Sequence, residues 1–319
     1  MNEILFLLFA FFTIFLSVKL SYYTDALSKS SKISGALIGG ILLAGITSLP
    51  ELVTCFSAIA VSNNALAVGD ILGSNIFNIF MICFFDLVFI KKMIFTKTNK
   101  SHVLVFIILL INYFVLYLFI AGILNLSVAY IGLPTFVIFV TYFYYLYKMS
   151  KKEEDDKVYI NTYKDNDLIF KLVITSIFMI FSSIVLTILV NNIASDHPAF
   201  SSSFIGAIFL GVTTSLPEVV TCYTLLNMDS YDLALSDIIG SNLFNLFVLS
   251  VGDLTIRTSS IYSFTDKDEV MLVILGFIFT LLLFLSNKLR NSNIRKIYGL
   301  ISVLIVIVYL GYWILNFIY

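Results

Sequence analysis

Charge is what this 319-residue sequence has least of: Lys, Arg, Asp and Glu make up 12% of it, while 60% is hydrophobic and the mean hydropathy is +1.00. An ordinary globular protein carries about twice that charge, so a soluble domain is excluded and lipid is the solvent for most of the chain. A net charge of −1, with no basic cluster outside short loops, leaves nucleic-acid binding nothing to rest on. Cysteine is scarce too. Cys55, Cys83 and Cys222 lie inside apolar runs without a CxxC pair, which excludes a disulfide framework or a zinc site. The first residues, Met-Asn-Glu, lack the positive start of a signal peptide, so the apolar stretch to Leu20 is expected to be a membrane helix.

What the chain has instead is a series of apolar runs, at about 2–20, 34–62, 65–90, 103–122, 127–147, 168–193, 203–228, 232–256, 269–287 and 297–318. A spanning helix needs about 20 such residues. The expected fold is therefore an all-α polytopic membrane protein of ten transmembrane helices. Residues 148–167, rich in Lys, Asp and Glu, form a hydrophilic linker between two five-helix halves, 1–147 and 168–319. Of the 19 Lys and Arg residues, 17 fall in one alternate set of connections and only Arg257 and Lys267 in the other. Cytoplasmic loops retain positive charge, so the linker is expected in the cytoplasm with both termini outside, in a plasma membrane.

The strongest feature is an internal repeat. Residues 47–55 read TSLPELVTC and 214–222 read TSLPEVVTC; 70–80 read DILGSNIFNIF and 237–247 read DIIGSNLFNLF, all at a constant spacing of 167. Five helices, an odd number, separate the copies, so the second crosses the membrane in the opposite sense. Two inverted repeats of this kind are the signature of many secondary transporters.

Pro50 and Pro217 cannot donate a backbone hydrogen bond, and each ring clashes with the carbonyl four residues back, Ile46 or Thr213. A helix broken at membrane depth is tolerated only where it faces protein or a water-filled cavity. Beside each break stands a carboxylate, Glu51 or Glu218, and an ionisable group near the bilayer centre costs about 2.5–3.5 kcal/mol. A bound cation is the simplest reason for both. On the following helix Asp70, Ser74 and Asn78 stand at i, i+4 and i+8 and form one polar stripe, repeated by Asp237, Ser241 and Asn245. Gly73 and Gly240 would let a neighbouring backbone approach. Together these groups make an all-oxygen site suited to a hard cation such as Ca²⁺.

At these residues the chain resembles the sodium/calcium exchangers of the calcium/cation antiporter superfamily, whose paired alpha repeats carry TSLPE followed by GSN-x-F-N. The resemblance implies exchange of Ca²⁺ for Na⁺ by alternating access, with four cation positions at mid-membrane and no cofactor. By position it makes Glu51 and Glu218 the main calcium ligands, with the carbonyls of Thr47 and Thr214. It gives Ser48, Ser215, Ser74 and Ser241 to sodium, adds the carbonyls of Ala44 and Gly211 and the side chains of Asn78 and Asn245, and has the first and sixth helices slide as a pair. Five residues depart from the pattern. The usual Gly before TSLPE is Ile46 or Thr213; Asn245 replaces an Asp of potassium-dependent relatives; and Asp70 and Asp237 stand where neutral residues are usual.

Those two aspartates either support neighbouring ligands or bind ions or protons directly, so a cation/proton exchanger is the alternative to sodium coupling. A cation channel is a further one, and a non-transporting scaffold leaves the paired acids unexplained. Ions and lipid are the expected partners, with no obligatory protein partner. Elsewhere the simpler readings are preferred. Asp86 and Asp253 suit interfacial ion pairs, Asp253 with Arg257. Cys55 and Cys222 suit small-residue packing. His102 and His197 lie in or beside loops without partners. Glu153 to Asp156 is a solvated stretch of linker, and Tyr142, Tyr144, Tyr145 and Tyr147 belong to an interfacial belt.

Overall fold

The computed structural model describes residues 2–30, 37–98, 102–150, 165–195, 210–263, 267–288 and 295–318. His197 and the Glu153 to Asp156 run lie outside the described residues. Helix α1 is Asn2–Ser30, ten residues longer than its apolar run, and continues past that run through Asp25 and Lys29. The second run is split into α2, Ile38–Thr47, and α3, Leu49–Ala60, which meet at 45°. Then come α4, Asn64–Val88, and α5, Val103–Ile120. The fifth run opens on a two-stranded antiparallel ribbon, Ser127–Val128 against Ile131–Gly132, before α6, Leu133–Ser150. Its two turn residues, Ala129 and Tyr130, have φ of 49° and 72°, the left-handed pair that a two-residue hairpin requires.

The second half follows the same order: α7, Asp165–Ser195; α8, Gly211–Thr214, and α9, Leu216–Asn227, on either side of Ser215; α10, Tyr231–Thr255; α11, Lys267–Lys288; and α12, Arg295–Ile318. Among the described residues six unbroken helices are long and apolar enough to cross a bilayer, and the bent pair α2–α3 makes a seventh. This is a mostly helical, multi-pass arrangement consistent with the ten sequence runs.

Helices α10 and α4 form the centre, with 83% and 67% of their apolar stretches buried against 28% for α1. The two polar stripes thus occupy the innermost helices. On the outside, Leu7, Phe11, Phe15, Phe170 and Ile307 are exposed, as lipid contact requires. Helix α1 packs along α7, where Thr13 and Ser182 share a 2.7 Å hydrogen bond and the Ser182 hydroxyl also donates to the Phe9 carbonyl.

Several peripheral residues take other roles than their sequence context suggests. Asp253 is fully buried and is not held by Arg257: its Oδ2 accepts from Gly132 N (3.0 Å) and Thr135 Oγ1 (2.6 Å), and its Oδ1 from Ser260 Oγ (2.9 Å) and Ile261 N (2.7 Å). One carboxylate thereby ties the ribbon, the start of α6 and the turn after α10 together. Asp86, also buried, accepts from Ser302 on α12 at 2.8 Å. His102 is buried, and its Nε2 lies 2.7 Å from Asp232 Oδ1, so it is a partnered link between α5 and α10. Tyr144 and Tyr147 face outward, but Tyr142 stacks on Phe247 at 4.3 Å and Tyr145 is buried against Gly40. In the turn between α9 and α10, the Tyr231 hydroxyl and Lys92 hydrogen-bond Asp229 and hold its carboxyl below the usual range.

Candidate cation-binding site

The two helix breaks are alike in cause and geometry. Ser48 has φ −89° and ψ 11°, Ser215 has −81° and 7°, and each is followed by Leu-Pro at the start of the next helix. Proline suits that first turn because its missing N–H has no helical partner there. The break is bridged by Ser48 N to Ala44 O (3.1 Å) and Leu52 N to Ser48 O (3.3 Å), and in the other half by Ser215 N to Gly211 O (3.3 Å) and Val219 N to Ser215 O (3.1 Å). Glu51 and Glu218 thus fall in the first turns of α3 and α9, where the unpaired N–H groups and the helix dipole favour a negative charge.

Glycine brings the broken helices against the stripes. A Cβ added at Gly211 would lie 2.9 Å from Ser74 N and 3.2 Å from Gly73 C, and one added at Gly240 would collide with the Gly40 backbone. Backbone can approach backbone this closely only without side chains. Gly240→Ala should therefore force α2 off α10 and destabilise the protein by about 1–3 kcal/mol, read as a lower midpoint of thermal unfolding in detergent; an unchanged midpoint would refute the close packing.

Across the gap each half serves the other. Ser48 Oγ donates to Glu218 Oε1 at 2.9 Å, and its repeat mate Ser215 donates to Glu51 Oε1 at 3.2 Å. Thr47 Oγ1 contacts Ala44 O, Ser241 Oγ and Asp237 Oδ1 at 3.3, 3.4 and 3.5 Å. Thr214 Oγ1 likewise contacts Leu210 O, Ser74 Oγ and Asp70 Oδ1 at 2.9, 3.3 and 3.3 Å. Ser74 Oγ also donates to Gly211 O at 3.2 Å, and Ser241 Oγ reaches Glu218 Oε1 at 3.5 Å.

A second set of asparagines, Asn75 and Asn242, carries weight that the stripe did not reveal. Asn75 Nδ2 donates to Asn242 O at 3.1 Å and Asn242 Nδ2 to Asn75 O at 2.9 Å, a reciprocal pair between α4 and α10. Asn78 Nδ2 then donates to Asn242 Oδ1 (3.0 Å) and Asn245 Nδ2 to Asn75 Oδ1 (3.1 Å), while Asn75 Nδ2 also reaches the Tyr113 hydroxyl (3.0 Å). This ladder fixes the amide orientations, since flipping Asn78 or Asn245 would set oxygen against oxygen. The signal for Asn75 and Asn242 was the same 167-residue offset, one helical position off the stripe.

With every amide nitrogen turned to the ladder, the oxygens Asn78 Oδ1 and Asn245 Oδ1 are buried without a partner, as are Glu51 Oε2, Glu218 Oε2 and Asp70 Oδ2. Buried polar atoms are nearly always hydrogen-bonded, and five bare oxygens around the two breaks are acceptors that a cation or a donor could meet. Glu51 stands within electrostatic reach of Glu218 and Asp70. No three His, Cys, Asp or Glu side chains converge on one point among the described residues, so neutral oxygens must complete any coordination shell. Cys55 and Cys222 are buried and belong to the packing.

A family model described as sodium/calcium exchanger protein matches residues 3–148 and 168–317. Among curated proteins, the chain is 27% identical to a putative antiporter, CaxA, of Alkalimonas amylolytica, over 93% of this chain and 92% of that one. It is 24% identical to inner membrane protein YrbG of Escherichia coli, over 83% of each. Among solved structures, a sodium-calcium exchanger, NCX_Mj, soaked with Na⁺ and without Ca²⁺ superposes with a TM-score of 0.68 at 20% identity, over 98% of this chain and 99% of that one. The same exchanger soaked with Na⁺ and Sr²⁺ gives 0.68 over 97% of each chain. At that identity the likeness is one of fold.

Proposed function

Because the chain belongs to the sodium/calcium exchanger protein family and has the fold of a transporter, we propose that it exchanges Ca²⁺ for Na⁺ across a plasma membrane by alternating access. The observation that carries this reading is the set of buried oxygens without partners on Glu51, Glu218, Asn78 and Asn245. Carboxylate, amide and hydroxyl oxygens are ligands for hard cations, of which Ca²⁺ takes about 6–8. The proposed ligands are Glu51 and Glu218 for calcium, with the carbonyls of Thr47 and Thr214, and Ser48, Ser215, Ser74 and Ser241 for sodium, with the carbonyls of Ala44 and Gly211 and the side chains of Asn78 and Asn245 completing the cluster.

Two fully buried glutamates within electrostatic reach of each other must be neutralised either by one divalent ion or by monovalent ions. An empty site leaves both charges buried in a medium of low dielectric, which is too unfavourable for the protein to pass between its two open states. Occupancy therefore gates the motion and couples the two fluxes. The α1–α7 packing supports these two helices moving as a pair. The distribution of Lys and Arg supports a cytoplasmic linker and outer termini.

The test is calcium uptake into proteoliposomes loaded with sodium, compared with choline-loaded ones and with ones carrying a pH gradient. Uptake driven by outward sodium is expected. Uptake driven by protons alone would overturn sodium coupling and favour the second reading, a cation/proton exchanger, which rests on Asp70 and Asp237 lying one turn from Ser74 and Ser241.

A further inference from the structure

Building on the exchanger reading, we infer that Asp70 is a ligand for a monovalent cation, at a position separate from the one the two glutamates share, and that its repeat mate Asp237 is not a ligand. Most polar contacts of the site come in pairs related by the 167-residue offset: Ser48 with Glu218 and Ser215 with Glu51, Thr47 with Asp237 and Thr214 with Asp70. At the aspartates the pairing fails. Thr221 Oγ1 donates to Asp237 Oδ2 at 2.7 Å, so both oxygens of that carboxylate are engaged. The equivalent hydroxyl in the first half, Thr54, turns instead to Pro50 O at 2.9 Å and to Thr187 Oγ1 on α7 at 3.5 Å. Asp70 keeps the Thr214 bond on Oδ1, and its Oδ2 is fully buried with no partner.

Of the four carboxylates at the two breaks and stripes, then, Glu51, Glu218 and Asp70 present a bare oxygen, and Asp237 presents none. Leaving such an atom bare is costly unless an ion or donor meets it. The oxygens linked to Asp70 are neutral: Thr214 Oγ1, then Ser74 Oγ at 3.3 Å from it, then Gly211 O at 3.2 Å from the serine. Glu51 lies within electrostatic reach of Asp70, but no three acidic, His or Cys side chains group on one point among the described residues, which favours a position for Asp70 beside the one the glutamates share. Charge matching gives the class of ion. Two carboxylates balance a divalent cation, whereas one carboxylate among neutral oxygens balances a hard monovalent cation such as Na⁺. The two halves, alike in sequence, thus bind monovalent ions unequally.

Purified protein in detergent can be titrated with NaCl against choline chloride at constant ionic strength, with the thermal unfolding midpoint as the readout. Asp70→Asn should raise the sodium concentration for half-maximal stabilisation about tenfold, and Asp237→Asn by less than about threefold. Asp70→Ser serves in its place if the asparagine variant does not elute as a monodisperse species. An Asp70 shift less than about three times the Asp237 shift would overturn the inference. The two failures are distinguishable. Absence of sodium-driven calcium uptake removes the exchange reading, yet saturable sodium stabilisation that is lost in the Asp70 variant keeps this position. A wild-type protein that sodium does not stabilise overturns it.

Discussion

Glu51→Gln and Glu218→Gln are each expected to lower calcium uptake into proteoliposomes by at least about a hundredfold while the protein still folds. The two parts of that outcome have separate causes. Glutamine keeps an oxygen to accept from Ser215 or Ser48, so the bonds that hold the two halves across the gap survive. What it removes is a full charge beside the bare oxygens of a buried site. At an effective dielectric constant of about 20, one carboxylate and a divalent ion about 4 Å apart attract by about 8 kcal/mol. Half of that already corresponds to about three orders of magnitude in affinity. The check is radiolabelled calcium uptake with monodisperse elution as the folding control, and uptake within a few-fold of wild type in both variants would sink the assignment.

The second large effect is one of stability. Asp253→Ala should destabilise the protein by more than about 4 kcal/mol, because it strands two backbone N–H groups and the Ser260 hydroxyl and leaves Thr135 only the Tyr262 hydroxyl, and each buried donor without a partner costs about 1–3 kcal/mol. The donors are Gly132 N, Thr135 Oγ1, Ser260 Oγ and Ile261 N, from three separate segments. Arg257→Gln, at an exposed residue four positions on, should stay within about 0.5 kcal/mol of wild type. Thermal unfolding in detergent separates the two. Equal effects would restore the simple ion pair that the spacing suggests, and no effect of Asp253→Ala would show that water reaches the four donors.

That contrast shows where sequence reasoning succeeds and where it stops. The breaks at Ser48 and Ser215 were legible because proline acts on its own chain, four residues back. The stripes of α4 and α10 were legible because helical spacing is local as well. Inversion followed from counting helices between identical motifs. Nothing local, by contrast, says that Ser48 serves Glu218 rather than Glu51, or that Asp253 collects donors from 118 and 121 residues away. His102 looked solitary because its partner, Asp232, is 130 residues on. The ribbon at Ser127–Gly132 falls inside an apolar run that reads as helix, since Val128 and Ile131 suit either state. Asn75 and Asn242 repeat as faithfully as the stripe residues, but an amide one position off a polar face reads as filler until its counterpart across the interface is known.

The asparagine ladder also bears on how the protein is made. Translation delivers α1 to α6 to the membrane before α10 exists, and during that interval the Asn78 amide has no counterpart on another helix and Asn75 has only the Tyr113 hydroxyl of α5. A half-built chain must keep them in water, in the insertion machinery or on a temporary neighbour, since bare amides in hydrocarbon are disfavoured. Every rung joins a residue of the first half to one of the second, so maturation ends with α10 docking on α4. A stalled or truncated product would remain recognisable to quality control by the same unpaired groups that later lock the two halves together.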